Sequence, residues 1–271
     1  MYALHDLAIE TTRRCNLRCG HCMRGEAQNI DISKEIVDMV LDNDEIARID
    51  HICFSGGEPT LNPEIIIYAI DKIISERKNV FEVVTVTNGQ IFNRELVEAF
   101  NRFNQYRNER LRQIIEEEYK DTNDKASLEK ALSDNTDKHA RISFSTDRFH
   151  HPIPKEVRDN YNKYCKGIVL VDKDTEDSRL FKTGFSKIGN EFNYELKPLR
   201  YFEENDYYFV VDNIYITANG YITSEGDGQY EDMDRINMGH ISETSLTKLL
   251  ATYGVPKGNA TKIEYKGATL K

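Results

Sequence analysis

The chain carries the run Cys15-Asn16-Leu17-Arg18-Cys19-Gly20-His21-Cys22, placed just after the short apolar stretch Leu7–Thr11. A [4Fe–4S] cluster is normally held by four thiolates. A loop that offers only Cys15, Cys19 and Cys22 leaves one iron without a protein ligand, open to a small molecule. The competing reading is a zinc knot, but structural zinc takes four protein ligands. His21 lies between two of the cysteines and is poorly placed to be the fourth. The spacing alone leaves both readings open.

Further on, Ile52-Cys53-Phe54 reads as a buried strand running into Ser55-Gly56-Gly57-Glu58-Pro59. Paired glycines let a backbone come close to a ligand, and Glu58 adds a carboxylate able to accept from an ammonium group. The same stretch also reads as a strand-to-helix turn. Asn62 would then cap a helix with Pro63 in its first position, and Ile66, Ala69, Ile70 and Ile73 would share one face.

The C-x3-C-x2-C spacing followed by Gly-Gly-Glu-Pro resembles the radical S-adenosylmethionine (SAM) superfamily, over roughly residues 5–190. The resemblance implies that Cys15, Cys19 and Cys22 hold one [4Fe–4S] cluster, with the amine and carboxylate of SAM on its open iron. It also implies that Gly56, Gly57 and Glu58 form the site for the SAM amino group. Asn88, in Thr87-Asn88-Gly89, and Ser145 and Asp147, in Ser143-Phe144-Ser145-Thr146-Asp147, resemble positions that contact ribose, carboxylate or substrate. Without that role, Asn-Gly suits a turn and Ser/Asp a cap. His21 stands where related loops carry an aromatic residue and would pack against adenine. His150 and His151 would follow the fourth strand and face substrate, or simply precede Pro152. Lys182-Thr183-Gly184-Phe185-Ser186 occupies the place of a Gly-Arg turn in some relatives, but it has no arginine.

The activity so implied is reductive cleavage of SAM to methionine and a 5′-deoxyadenosyl radical, which takes hydrogen from an unidentified substrate. A peptide is one candidate substrate, and a flavodoxin or ferredoxin is the expected electron donor. Two other readings stand beside it: an activase that installs a glycyl radical on a partner protein, and a non-catalytic iron–sulfur or zinc module.

Strand-like and helical runs alternate, as in a parallel α/β fold. The strands expected are Leu7–Thr11, Ile49–Phe54, Phe81–Thr87, Arg141–Ser145 and Ile168–Val171, with Ser33 and Asn93 as helix caps. Every candidate loop follows the carboxyl end of a strand, where parallel barrels place their chemistry. The expected architecture is a partial (β/α)6 TIM-like barrel over residues 1–197 with a small C-terminal α+β appendage over 198–271. A charged insert at about 104–140 reads as solvated helix and linker, or as a lid over the barrel mouth. In the tail, Asn213–Thr217 and Tyr221–Ser224 flank Ala218-Asn219-Gly220 as a hairpin. The tail resembles a SPASM/twitch extension stripped of its cysteines, with Ser224 where a ligand would be expected. No auxiliary cluster is expected there.

Composition fits without adding detail. No run approaches the roughly 18 apolar residues of a membrane span, and no signal peptide opens the chain. Five cysteines, three of them in one loop, are no disulfide framework, and a reducing cytoplasm is expected. The net charge of −10 gives no general pull toward nucleic acid or an anionic membrane. Arg13, Arg14, Arg18 and Arg24 nevertheless concentrate positive charge around the cysteine loop.

Overall fold

A computed structural model describes residues 1–120, 124–134, 138–174 and 180–257. Its centre is one mixed sheet. Strands β1 (Tyr2–Thr12), β2 (Ile46–Gly56), β3 (Val80–Thr87), β4 (Ala140–Ser145) and β5 (Val169–Lys173) run parallel. The sixth parallel strand, β7 (Tyr207–Ile216), does not follow β5 in the sheet. It joins at the other side of β1, pairing Ala8 with Tyr215 and Ile9 with Ile216. β6 (Leu199–Glu204) and β8 (Ile222–Thr223) add to β7 antiparallel, and β9 (Gly254–Pro256) closes the path beside β6. The strands of the described tail, from β6 to β9, therefore enter the same sheet as the core. The hairpin read from Ala218-Asn219-Gly220 is the β7–β8 turn, with Gly220 at φ 82°.

Parallel strands need crossover segments. They are α1 (Lys34–Leu41), α2 (Pro63–Ser75), α3 (Arg94–Glu118) with α4 (Lys125–Asp134), and α5 (Lys155–Tyr164); α6 (Tyr230–Arg235) and α7 (Leu246–Tyr253) follow in the tail. Ser33 and Asn93 cap α1 and α3 through Ile36 N–H and Leu96 N–H. Asn62 does not cap α2 with its side chain. Its amide donates instead to the Thr11 carbonyl at 2.8 Å, tying the helix start to β1, while Pro63 occupies the first turn as expected.

Strand alternation sorts the side chains. Leu7, Ile9, Ile52, Phe54, Val83, Ile142, Phe144, Ile214 and Ile216 join Val37, Ile66, Leu96 and Tyr161 in the main core under the helices. Ala8 and Tyr215 turn to the other face and pack with Tyr194, Tyr230 and Met233, with Cys53 against them. That second face borders a cavity lined by Ala8, Cys53 and Tyr215. In the charged insert, α3 continues to Glu118 with its last turns mostly exposed, and α4 is exposed or half-buried. The linker residues at 121–123 and 135–137 lie outside the described residues, as does the chain beyond 257. Among the described residues no helix is long and apolar enough to cross a membrane.

Candidate cofactor site at the cysteine loop

The Gly-Gly-Glu segment holds the approach to the cysteine loop by backbone contact. Gly57 N–H donates to the Thr12 carbonyl at 2.7 Å and Glu58 N–H to the Arg14 carbonyl at 2.8 Å. A Cβ on Gly56 would stand 2.3 Å from the Thr12 oxygen, and one on Gly57 would stand 2.3 Å from the Arg14 oxygen. The two strands of backbone pass so closely that only glycine fits at either position. What the glycines approach in this structure is the chain that leads into Cys15.

Glu58 is 1% exposed and accepts from four donors. Its Oε1 takes Thr60 N–H, Thr60 Oγ1–H and Thr87 Oγ1–H at 3.1, 2.6 and 2.7 Å, and its Oε2 takes Asn88 N–H at 2.8 Å. The carboxylate thus pins the ends of β2 and β3 together, a role the sequence did not reveal. Oε2 keeps a lone pair for a further donor. Asn88 reaches back to the loop, its amide donating to Asn16 Oδ1 at 2.8 Å.

Between these segments lies a cavity of about 280 Å³. Cys15, Cys19, Cys22, His21, Gly56, Gly57, Glu58, Asn88 and Ser145 all line it. Asp147 does not; it sits buried behind, accepting from Phe149 N–H at 3.0 Å and holding His150 Nδ1 at 2.8 Å. His150 lines the cavity and His151 does not. His21 stacks on Phe149 with ring centroids 4.5 Å apart, and its Nε2 is 3.8 Å from Asp147. Burial holds the His21 imidazolium down, despite Asp147.

Three positions the sequence reading undervalued also build the cavity. Phe185 N–H donates to the Cys22 carbonyl at 2.8 Å, and a Cβ on Gly184 (φ 58°) would meet that oxygen at 2.6 Å. The 182–186 segment therefore rests on the cysteine loop without needing an arginine. Tyr230 and Asp227 enter from the tail. Only the isolated glycine at 184 hinted at this in the sequence.

Of the four arginines expected to gather positive charge at the loop, Arg13 and Arg24 turn inward. Arg13 is fully buried, with Nε on Glu10 at 2.9 Å and both terminal nitrogens on Asp234 at 2.7 and 2.6 Å. Glu10, equally buried, also accepts from Tyr215 OH and from Ala218 N–H. Arg24 donates to Tyr215 OH at 2.9 Å. Arg14 is bound to Asp31 and the Leu61 carbonyl, and Arg18 pairs with Glu26 over the Phe185 ring. Arg13 and Arg24 thereby fasten the loop to the tail, while Arg14 and Arg18 pair outside it.

A larger cavity of about 600 Å³ adjoins the first and shares Arg24, Ser55 and Asp227 with it. Ala8, Cys53 and Tyr215 form its sheet wall, and Lys197, Arg200, Asp212, Ser224 and Glu225 its tail wall. Ser224 accepts from Lys197 N–H at 2.8 Å.

The donor set fits an iron–sulfur cluster. Burial raises the thiols of Cys15 and Cys19, the latter to about 11, and neighbouring Cys, Glu58 and Asp147 charges add to this. Three thiolates beside two carboxylates repel one another, and a multivalent iron group relieves that repulsion as it deprotonates the thiols. The buried Nδ1 of His21 has no hydrogen-bond partner among the described residues, which leaves it available to a polar group of a ligand.

Parallel strands of an α/β sheet thus carry a three-thiol loop and a glycine-paired carboxylate at their carboxyl ends. Residues 9–114 of the chain match the family model described as Radical SAM superfamily. This family uses a [4Fe–4S] cluster and SAM. Molybdenum cofactor biosynthesis protein moc-5 of Caenorhabditis elegans is 32% identical over 99 residues, covering 33% of this chain and 16% of that protein. Fe-coproporphyrin III synthase of Methanosarcina barkeri is 35% identical over 92 residues, covering 31% and 21%. The matches thus span only a small part of those relatives. Among solved structures, native anSMEcpe with bound AdoMet and Kp18Cys peptide aligns with 92% of this chain and 80% of its own at TM-score 0.45 and 12% identity. Streptococcus suis SuiB bound to precursor peptide SuiA aligns over 92% and 64%, at TM-score 0.45 and 12% identity.

Proposed function

We propose that the chain is a radical SAM enzyme that holds one [4Fe–4S] cluster on Cys15, Cys19 and Cys22 and acts on a polar substrate in the adjoining cavity. The observation that carries the proposal is convergence: thiols from one loop, the glycine pair and Glu58 from a second segment, and Asn88 and Ser145 from two more strand ends line one cavity. When bound, cluster and SAM together supply an electron-driven route to a 5′-deoxyadenosyl radical, the agent of hydrogen abstraction.

The protein's own contribution is placement and exclusion of water. Oε2 of Glu58 would accept from the SAM ammonium, Asn88 and Ser145 would meet its polar groups, and His21 on Phe149 would flank the adenine. Tyr230 and Phe185 wall the cavity from solvent. The larger cavity carries charges of both signs: Arg200 is paired with Asp212, and Lys197 with Glu225. That lining supports a zwitterionic, peptide-like substrate. The electron donor is proposed to be of the flavodoxin or ferredoxin class.

The test is anaerobic reconstitution followed by SAM and a strong reductant. Iron near four per chain, the content of one such cluster, together with 5′-deoxyadenosine release supports the proposal. A single zinc with no SAM cleavage would make the chain a structural module.

A further inference from the structure

Away from the cysteine loop, β1, β2 and β3 bring a second set of ligating side chains together partway along their length. Asp6 is the register partner of His51, and His51 that of Glu82. The pairing of β1 with β7 slips between Leu4 and Asp6, and here the consecutive His5 and Asp6 both come to His51. The two imidazole rings are 5.0 Å apart, edge to face.

Each ring has a carboxylate at both of its nitrogens. His51 Nδ1 is 3.1 Å from Asp6 Oδ1, and its Nε2 is 3.4 Å from Glu82 Oε2. His5 Nδ1 is 3.3 Å from Asp50 Oδ2, and its Nε2 is 3.8 Å from Asp6 Oδ2. A neutral imidazole has one N–H and one lone pair. Flanked by carboxylates on both sides, it turns that lone pair toward an anion unless both rings are charged, and the rings are close. A cation among Asp6 and the two inner nitrogens removes the conflict. Each ring then donates its outer N–H, His5 to Asp50 and His51 to Glu82, and offers its inner nitrogen as a ligand. Metal-bound histidines characteristically donate the other N–H to a carboxylate in this way. The outer carboxylates are themselves fixed: Arg48 Nε is 2.5 Å from Asp50 Oδ1, and Arg141 is 3.2 Å from Glu82 Oε1.

We propose that His5, Asp6 and His51, whose ligating atoms lie within 4.8 Å of one another, bind one divalent transition cation. Two imidazoles and one carboxylate suit Zn²⁺ or Fe²⁺, and three protein ligands leave a position for water or a substrate oxygen. Asp6 and His51 lie one same-face step along their strands from Ala8 and Cys53, which line the larger cavity. The cation would therefore sit at that cavity's margin, midway along β1 and β2 and away from the cysteines at their carboxyl ends.

The probe is Zn²⁺, added anaerobically to full-length protein already loaded with its cluster, with zinc counted by elemental analysis and affinity read by chelator competition. The expected result is one zinc per chain beyond the cluster iron. Asp6→Asn and His51→Gln should each lower occupancy at least tenfold. Glu82→Gln leaves the three ligands in place and should weaken binding about ten- to hundredfold. Should His51→Gln fail to fold by circular dichroism, His5→Gln replaces it. The zinc should persist when Cys15, Cys19 and Cys22 are all changed to Ala, which separates this site from the thiols. Absence of stoichiometric zinc, or zinc indifferent to the Asp6 and histidine changes, overturns the proposal.

Discussion

The two walls of the cavity at the cysteine loop are held by different means. The wall of residues 12–25 and 55–58 is fixed by backbone hydrogen bonds between segments that pass too closely for a Cβ. The wall contributed by the tail is fixed by the buried side chains of Glu10 and Arg13, which reach partners more than two hundred residues away in sequence, the Ala218 backbone N–H and the Asp234 carboxylate. The first arrangement is written in a short motif. The second depends on pairs that carry no local signature. A site can therefore be easy to recognise and still depend on a region that is not.

The largest effect expected from this contrast follows removal of the tail. A chain ending after Lys197 loses β7 from its place beside β1 and strips Glu10 and Arg13 of Tyr215, Ala218 and Asp234. Breaking one buried ion pair costs roughly 3–5 kcal/mol, and whole domains have only about 5–15 kcal/mol of stability. The truncated chain should be insoluble and take up no iron. A soluble truncation with a full iron complement would reduce the tail to a cover.

Gly57→Ala tests the other wall. Its Cβ would stand 2.3 Å from a backbone oxygen that cannot swing aside, so overpacking of about 1–3 kcal/mol or more is expected. Thermal stability and iron content should both fall. Gly20→Ala, inside the cysteine loop with nothing within 4 Å of its Cβ, should leave both unchanged. Equal effects from the two substitutions would show that close passage is not what Gly57 is for.

A smaller effect is expected at Glu58, where the two roles separate. Glu58→Gln replaces one acceptor oxygen with a donor among four inward-facing donors. Charge-assisted hydrogen bonds contribute roughly 1.5–3 kcal/mol, so stability should drop by that order and SAM affinity about ten- to hundredfold. Lost stability with unchanged SAM affinity would leave Glu58 as a clamp between β2 and β3 alone.

Much of the architecture was legible because burial writes a period into the sequence. Ile52 and Phe54, or Ile142 and Phe144, alternate with residues of the opposite face, and the parallel strands read from such runs are present. The insertion of β7 beside β1 was not legible, since a strand's neighbours are chosen by tertiary packing. At the site, Cys15, Cys19, Cys22, Gly56, Gly57, Glu58, Asn88 and Ser145 were singled out from motif and position, and they line one cavity. Asp147 was singled out as well, but it stands behind His150. Arg13 looked like loop charge because nothing near it in sequence shows that its partner is Asp234. Phe185 and Tyr230 are aromatic residues without pattern, and only the fold brings them to the loop.

The most direct test is iron content and 5′-deoxyadenosine formation in anaerobically reconstituted wild type and in the single variants Cys15→Ala, Cys19→Ala and Cys22→Ala. Cys53→Ala and Cys165→Ala serve as controls, because Cys53 lines the larger cavity and Cys165 caps α5, away from the loop. The account predicts about four irons and SAM cleavage in wild type and in both controls, with the cluster absorbance and cleavage lost together in each of the three loop variants. An intact cluster in any loop variant, or its loss in Cys53→Ala or Cys165→Ala, would contradict it.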